Sequence, residues 1–176
     1  MKSNLYWITG LSGAGKTTIG SLFHSHLLDI KKNIVYLDGD ILREIFGDSK
    51  NFSQSKRKFL AKRYSRLCKV LTEQGTDVII TTISMFHEVR AWNRENIENY
   101  NEIYIKVPLE VLISRDQKNL YSRALRGEIK DVVGIDVEVE EPLNPDVIII
   151  NDGSSSPKDM MYQLIKKLGL NNKFKL

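Results

Sequence analysis

A chain of 176 residues, 41% hydrophobic and 27% charged, has the composition of a soluble globular protein and the length of one domain. Its 26 basic and 22 acidic residues leave a net charge of +4, spread without a basic tail, a mild excess that fits a nucleotide pocket as well as a nucleic-acid groove. The single cysteine, Cys68, excludes an internal disulfide; with no apolar run near 18 residues and no signal-like start, the chain reads as cytoplasmic and independent of membranes.

In chain order, short apolar runs alternate with longer amphipathic segments. Strands are expected at 5–9, 33–37, 78–82, 102–107 and 147–150, and helices at 16–30, 53–74, 88–99, 109–126 and 157–168. Ser53 and Gly75 are the expected caps of the second helix. The strands do not alternate polar with apolar, so both their faces should be covered. The expected fold is α/β, a five-stranded parallel sheet between helical layers, forming a single domain over 1–176. The stretch 127–145 lacks periodicity, as loops that act as lids often do.

The first strand runs into Gly10-Leu11-Ser12-Gly13-Ala14-Gly15-Lys16-Thr17-Thr18, which satisfies G-x-x-x-x-G-K-[ST] between a strand and a helix. Such a loop cradles the phosphates of a nucleoside triphosphate with backbone N–H groups and the helix dipole. Lys16 adds a charge, and Thr17 a ligand for Mg²⁺. No N-K-x-D for reading guanine is present, and the third strand ends in Thr81-Thr82 rather than an acidic residue. A small kinase therefore fits better than a GTPase or a motor ATPase.

The second strand ends in Asp38-Gly39-Asp40, where a parallel sheet opens toward its ligands. These carboxylates are suited to a metal and an attacking hydroxyl, although an Asx turn with Asp40 capping a helix would produce the same letters. Arg43, Arg57, Arg63 and Arg90 are candidates for phosphate contacts. Most cations between Lys56 and Lys69 are instead expected on the wet face of a helix. His24, His26 and His87 form no metal-ligand pattern; the first two read as helix residues, His87 stays open for acceptor contact, and Cys68 reads as packing.

GLSGAGKTT, YLDGD with Arg43, NFS with Arg57, VPLEV, RD, KNLY, RGEIK and GID occur in order, from about residue 5 to 152. This ensemble resembles the adenylylsulfate kinases, which transfer the ATP γ-phosphate to a nucleotide ribose 3′-hydroxyl. The resemblance implies a P-loop kinase fold with ATP and Mg²⁺, a small-molecule nucleotide acceptor, a homodimer, and a mobile lid over about 120–145. It implies that Lys16 and Thr17 serve ATP and metal, that Asp40 orients the 3′-hydroxyl, and that Asp38 supports metal or water. Arg43 and Arg57 match acceptor-binding arginines, with Ile83 and Ser84 beside them; Ser84 matches a serine sometimes described as phosphorylated. Arg115 would lie against the ATP adenine, Lys118 would bind the acceptor, and Lys130 in the lid would face phosphates.

The departures from the family pattern cluster around the acceptor nucleoside. Ile41 and Leu60 replace asparagines, Val132 replaces a phenylalanine that stacks on adenine, and Val137-Glu138-Val139 replaces S-P-Y. The segment Ser84-Met85-Phe86-His87 replaces S-P-Y-R. Losing a base–aromatic stack costs about 1–3 kcal/mol, so adenine recognition should weaken while phosphate grip and 3′-hydroxyl chemistry persist. The pattern resembles a branch of the family whose acceptor is cytidine 5′-diphosphoramidate, used in capsule phosphoramidate synthesis. Adenylylsulfate kinase itself, and a non-catalytic nucleotide- or RNA-binding module, are the alternatives.

Overall fold

Residues 3–30, 32–46 and 53–170 are described by a computed structural model of the chain. The elements are β1 (Leu5–Thr9), α1 (Lys16–Leu28), β2 (Ile34–Asp38), α2 (Gly39–Ile45), α3 (Gln54–Glu73), β3 (Asp77–Thr82), α4 (His87–Asn96) and β4 (Tyr100–Lys106). Then follow α5 (Leu109–Arg115), a 3₁₀ turn (Gln117–Asn119), α6 (Leu120–Leu125), β5 (Val147–Ile150) and α7 (Pro157–Lys167). Asn51 and Phe52 of the NFS motif lie outside the described residues.

All strand pairings are parallel, in the order β2-β3-β1-β4-β5, with Leu5 in register with Val78 on one side and Tyr100 on the other. The runs of β1, β3 and most of β4 bury both faces, as expected, but the edge strand β5 alternates, leaving Ile148 and Ile150 exposed because no strand or helix among the described residues covers that side. Tyr6, Ile8, Ile79, Ile103 and Ile105 meet Phe23 of α1, Leu112 of α5, Tyr121 of α6 and Leu164 of α7. Leu5, Trp7, Val78 and Ile80 face the other way, against Leu60, Tyr64 and Cys68 of α3 and Val89 of α4. The result is the expected three-layer α/β/α fold, with Cys68 fully buried as packing. Trp7 and Phe23 are also fully buried, each worth about 1.5–3 kcal/mol on transfer from water.

Two local expectations are corrected. The Asp38 carboxylate accepts from the Asp40 N–H at 2.9 Å, so α2 starts at Gly39 and Asp38, not Asp40, is its cap. The helix expected over 109–126 is broken. Asp116, Lys118 and Asn119 have left-handed backbones, and the Asp116 carboxylate accepts from the N–H groups of Tyr121 and Ser122, starting α6 afresh. Two hydrogen bonds to otherwise orphaned helical N–H groups offset the strain of those dihedrals.

Candidate active site

The carboxyl ends of β1, β2 and β3 open into a cleft of about 780 Å³ floored by the glycine loop. Gly10 has a φ of +154°, and a Cβ there would lie 2.5 Å from the Ile105 carbonyl oxygen, so only glycine lets the loop leave β1 beside β4. The loop's carbonyls are tied down from outside. Ser12 O accepts from the Tyr121 hydroxyl at 2.7 Å, Ala14 O from Asn151 Nδ2 at 2.9 Å, and Leu11 O from Lys16 Nζ at 2.7 Å. Gly15, Lys16, Thr17 and Thr18, at the start of α1, line the cleft, where the helix dipole and N–H groups favour an anion. Burial dominates the Lys16 ammonium and lowers its pKa to about 8, although Asp40 and Asp38 favour its charged form.

Asp38 is the most connected polar group in the cleft. Its Oδ2 accepts from the Thr17 hydroxyl at 2.9 Å, the Thr81 hydroxyl at 3.0 Å and the Tyr36 hydroxyl at 3.3 Å. Burial acts against its ionisation. The Asp40 N–H and the three hydroxyls outweigh burial and hold the carboxyl below its ordinary range. Asp40, two residues on, is exposed and pairs with Arg43 at 3.0 Å. The two carboxylates therefore occupy different environments. Asp38 sits with Thr17, a pair of oxygen donors that fits Mg²⁺ held jointly with nucleotide phosphates. Asp40 faces the side on which Arg43 and Arg57 lie.

Arg57 donates to the Asp131 carbonyl at 2.5 Å, joining α3 to the 127–145 stretch. Burial first, then the like charge of Arg43, push its guanidinium down from its ordinary value, against Asp131 and Asp136. Beyond these arginines the cleft continues into a pocket of about 50 Å³, with Arg43, Arg57, Thr82, Ile83 and Val133 lining both. The inner pocket is walled by Leu60, Tyr64, Met85, Phe86 and Val137, and the buried hydroxyls of Thr82 and Ser84 bond each other at 2.7 Å.

The cleft and pocket thus gather Ser12, Gly13, Gly15, Lys16, Thr17, Thr18, Asp38, Asp40, Arg43, Arg57, Leu60, Ile83, Ser84, Lys118, Lys130 and Val132. Gly10 and Ala14 shape the loop from behind. Arg115 lines neither space; its guanidinium donates to Asn151 Oδ1 at 3.0 Å. Two arginines considered for phosphates serve elsewhere. Arg63 stacks over Phe59 at 4.3 Å. Arg90 is buried, its Nε 3.2 Å from Glu102 Oε1, while its Nη2 donates to Glu140 O at 2.6 Å. His87 offers Nδ1 to Arg90 at 2.7 Å and lines neither space. Lys58 and Lys62 pair with Glu88, which keeps the basic face of α3 on the surface.

Sequence reasoning missed Asn151, Tyr121, Gln54 and Val133, whereas Glu138 was already marked among the departures around the acceptor. Asn151 had a readable signal, since it follows the carboxyl end of β5 where a parallel sheet faces its ligands. The others depend on the kink at Asp116 and on how residues 131–138 fold, which no local pattern encodes.

The adenylylsulphate kinase family model matches residues 2–150. The chain belongs to the adenylylsulphate kinase family. As a member it is a nucleotide-binding P-loop kinase. It is 45% identical over 172 residues to the cytidine diphosphoramidate kinase of Campylobacter jejuni subsp. jejuni, covering 97% of this chain and 100% of that one. It is 39% identical to a probable adenylyl-sulfate kinase of Archaeoglobus fulgidus, over 85% of this chain and 97% of that protein. The Mycobacterium tuberculosis APS kinase, solved in complex with AMPPNP and APS, superposes with a TM-score of 0.85 at 32% identity, covering 96% of this chain and 98% of that one. Among the described residues, no helix of this family member is long and apolar enough to cross a membrane.

Proposed function

We propose that the chain transfers the γ-phosphate of ATP to the ribose 3′-hydroxyl of cytidine 5′-diphosphoramidate, in the cytoplasm, within capsule phosphoramidate synthesis. One observation carries this reading: a phosphate-binding cleft joins, through Arg43 and Arg57, a narrow pocket walled by Leu60, Val133 and Val137 rather than by a stacking aromatic from the 132–137 loop. Similarity to the Campylobacter jejuni enzyme supports it. Adenylylsulfate is the competing acceptor, since the paired arginines suit either 5′ group.

In this reading ATP lies on Gly10–Thr18, with Lys16 and Lys130 facing its phosphates and Lys118 beside them. Thr17 and Asp38 would hold Mg²⁺, which neutralises phosphate charge when bound. Arg43 and Arg57 hold the 5′ phosphoryl groups of the acceptor, whose ribose lies in the shared region near Ile83. Asp40, free of the hydroxyl cluster that occupies Asp38, accepts or orients the 3′-hydroxyl proton. Aligning two anionic substrates and balancing their charge supplies most of the rate in such transfers. Arg115 acts through Asn151 on the loop, next to the donor site. The whole of 1–176 acts as one domain, and the enzyme works as a homodimer.

Residues 120–145 form the lid. Tyr121 and Val132 are buried while most of the span between them is exposed, so closure pivots on these two anchors. The Arg57 bond to Asp131 then gives an acceptor on α3 a direct link to lid position. A coupled ATPase assay comparing cytidine 5′-diphosphoramidate with adenylylsulfate tests the proposal; a higher kcat/KM for the cytidine nucleotide is expected, and preference for adenylylsulfate overturns it.

A further inference from the structure

The pocket beyond Arg43 and Arg57 is apolar except at two places that the phosphates do not explain. Thr82 and Ser84 satisfy each other. The Tyr64 hydroxyl donates to the Gly39 carbonyl at 3.4 Å, which leaves Gln54, the first residue of α3, and Glu138, both exposed at the pocket rim. Neither is engaged by another described residue, whereas most acidic side chains nearby are committed: Asp136 accepts from the Asp131 and Val132 N–H groups, and Glu140 from the N–H of His87.

Glu138 is also held in place from both sides. Upstream, the Asp136 carboxylate closes a tight loop in which the Gly134 N–H donates to the Val137 carbonyl at 3.0 Å. Downstream, the buried Arg90 donates to the carbonyls of Glu140 at 2.6 Å and Glu141 at 3.3 Å. Glu138 thus extends an exposed, uncommitted carboxylate from a backbone pinned on both flanks, at the rim of an otherwise apolar pocket, where it can accept hydrogen bonds from a flat ring.

We propose that Glu138 is a specificity-determining residue that accepts a hydrogen bond from the exocyclic amine of the acceptor base, with the Gln54 amide donating to the adjacent ring nitrogen or carbonyl. This rests on the cytidine reading above and deepens it. A carboxylate only accepts, so it fits the donor edge of cytosine and repels the carbonyl that uracil presents at the same position. Adenine also carries an amine on that edge. The narrow pocket, not Glu138, must therefore exclude the purine. The side chain thus separates amino from keto pyrimidines, a discrimination that the family's S-P-Y sequence lacks at this position.

The test measures kcat/KM of wild type, Glu138→Gln, Glu138→Ala and Gln54→Ala with cytidine 5′-diphosphoramidate, its uridine counterpart and adenylylsulfate. Wild type is expected to favour cytidine over uridine by about ten- to a hundredfold, as expected when a base edge is read by a matched hydrogen-bonding side chain. Glu138→Gln, whose amide also donates, should bring that ratio near one while leaving the KM for ATP unchanged. Glu138→Ala should lower cytidine use and relieve the repulsion of uridine, so that the ratio also falls toward one, and Gln54→Ala should weaken both pyrimidines. If wild type prefers cytidine and Glu138→Gln keeps the same ratio, this inference fails and the function stands. If wild type prefers adenylylsulfate, the acceptor reading fails and the inference falls with it.

Discussion

At the level of single side chains, the proposed chemistry divides between Lys16 and the two aspartates. With a pKa near 8, Lys16 is partly neutral in the empty enzyme at pH 8 to 9, and triphosphate oxygens restore its proton. ATP binding in that range should take up a fraction of a proton, read by calorimetry in buffers of different ionisation enthalpy, and uptake should vanish near pH 6. The affinity for ATP should fall as pH rises through 8. Lys16→Ala should lower turnover by about a hundredfold or more with little change in unfolding midpoint. Asp40→Asn should lower kcat by about 10²–10⁴ with the KM for ATP nearly constant, as for loss of a general base; a pure KM effect would reassign Asp40 to binding. The glycine loop and the DGD pair were legible because their chemistry is encoded in adjacent letters. The different environments of Asp38 and Asp40 were not, since they depend on Tyr36 and Thr81 reaching Asp38 across the sheet.

At the scale of elements, the kink between α5 and α6 sets the geometry of the donor site. It turns Tyr121 inward so that its hydroxyl holds Ser12 O, and it places Gln117 and Lys118 on the cleft. Tyr121→Phe removes one hydrogen bond from a buried carbonyl, so stability should drop by about 1 kcal/mol and the KM for ATP should rise several-fold. Thermal unfolding and steady-state kinetics check both; an unchanged KM would show that the loop holds its shape without this tether. The strands were readable to within two residues at each end because burial on both faces writes continuous apolar runs. The kink was not readable, because Leu109 to Arg126 carries helical periodicity throughout and only the Asp116 carboxylate breaks it. Arg63 and Arg90 show the same limit: a guanidinium in sequence does not say whether it meets a phosphate, a ring or a buried glutamate.

Across the whole molecule, the Arg90–Glu102 pair ties α4 to β4, and through the carbonyls of Glu140 and Glu141 Arg90 fixes the later part of the 120–145 stretch. Burial pushes Arg90 down and Glu102 up from their ordinary values, each toward neutrality, with the partner's charge opposing this. Removing one member strands the other, so Glu102→Gln should cost about 3 kcal/mol or more. For a chain of this size that lowers the unfolding midpoint by about 6–12 °C, measurable by calorimetry. The fold and the phosphate-binding loop thus follow from local sequence. Under the proposed function, the identity of the base depends on a pocket assembled from α3, the segment after β3 and the loop at 132–138. The measurement that tests the account most directly is therefore phosphate transfer by the wild-type enzyme from ATP to cytidine 5′-diphosphoramidate and to adenylylsulfate, with the product phosphate located by phosphorus NMR. The account predicts faster transfer to the cytidine nucleotide, at its 3′-hydroxyl. Preferential transfer to adenylylsulfate, or to another position on the cytidine nucleotide, would contradict it.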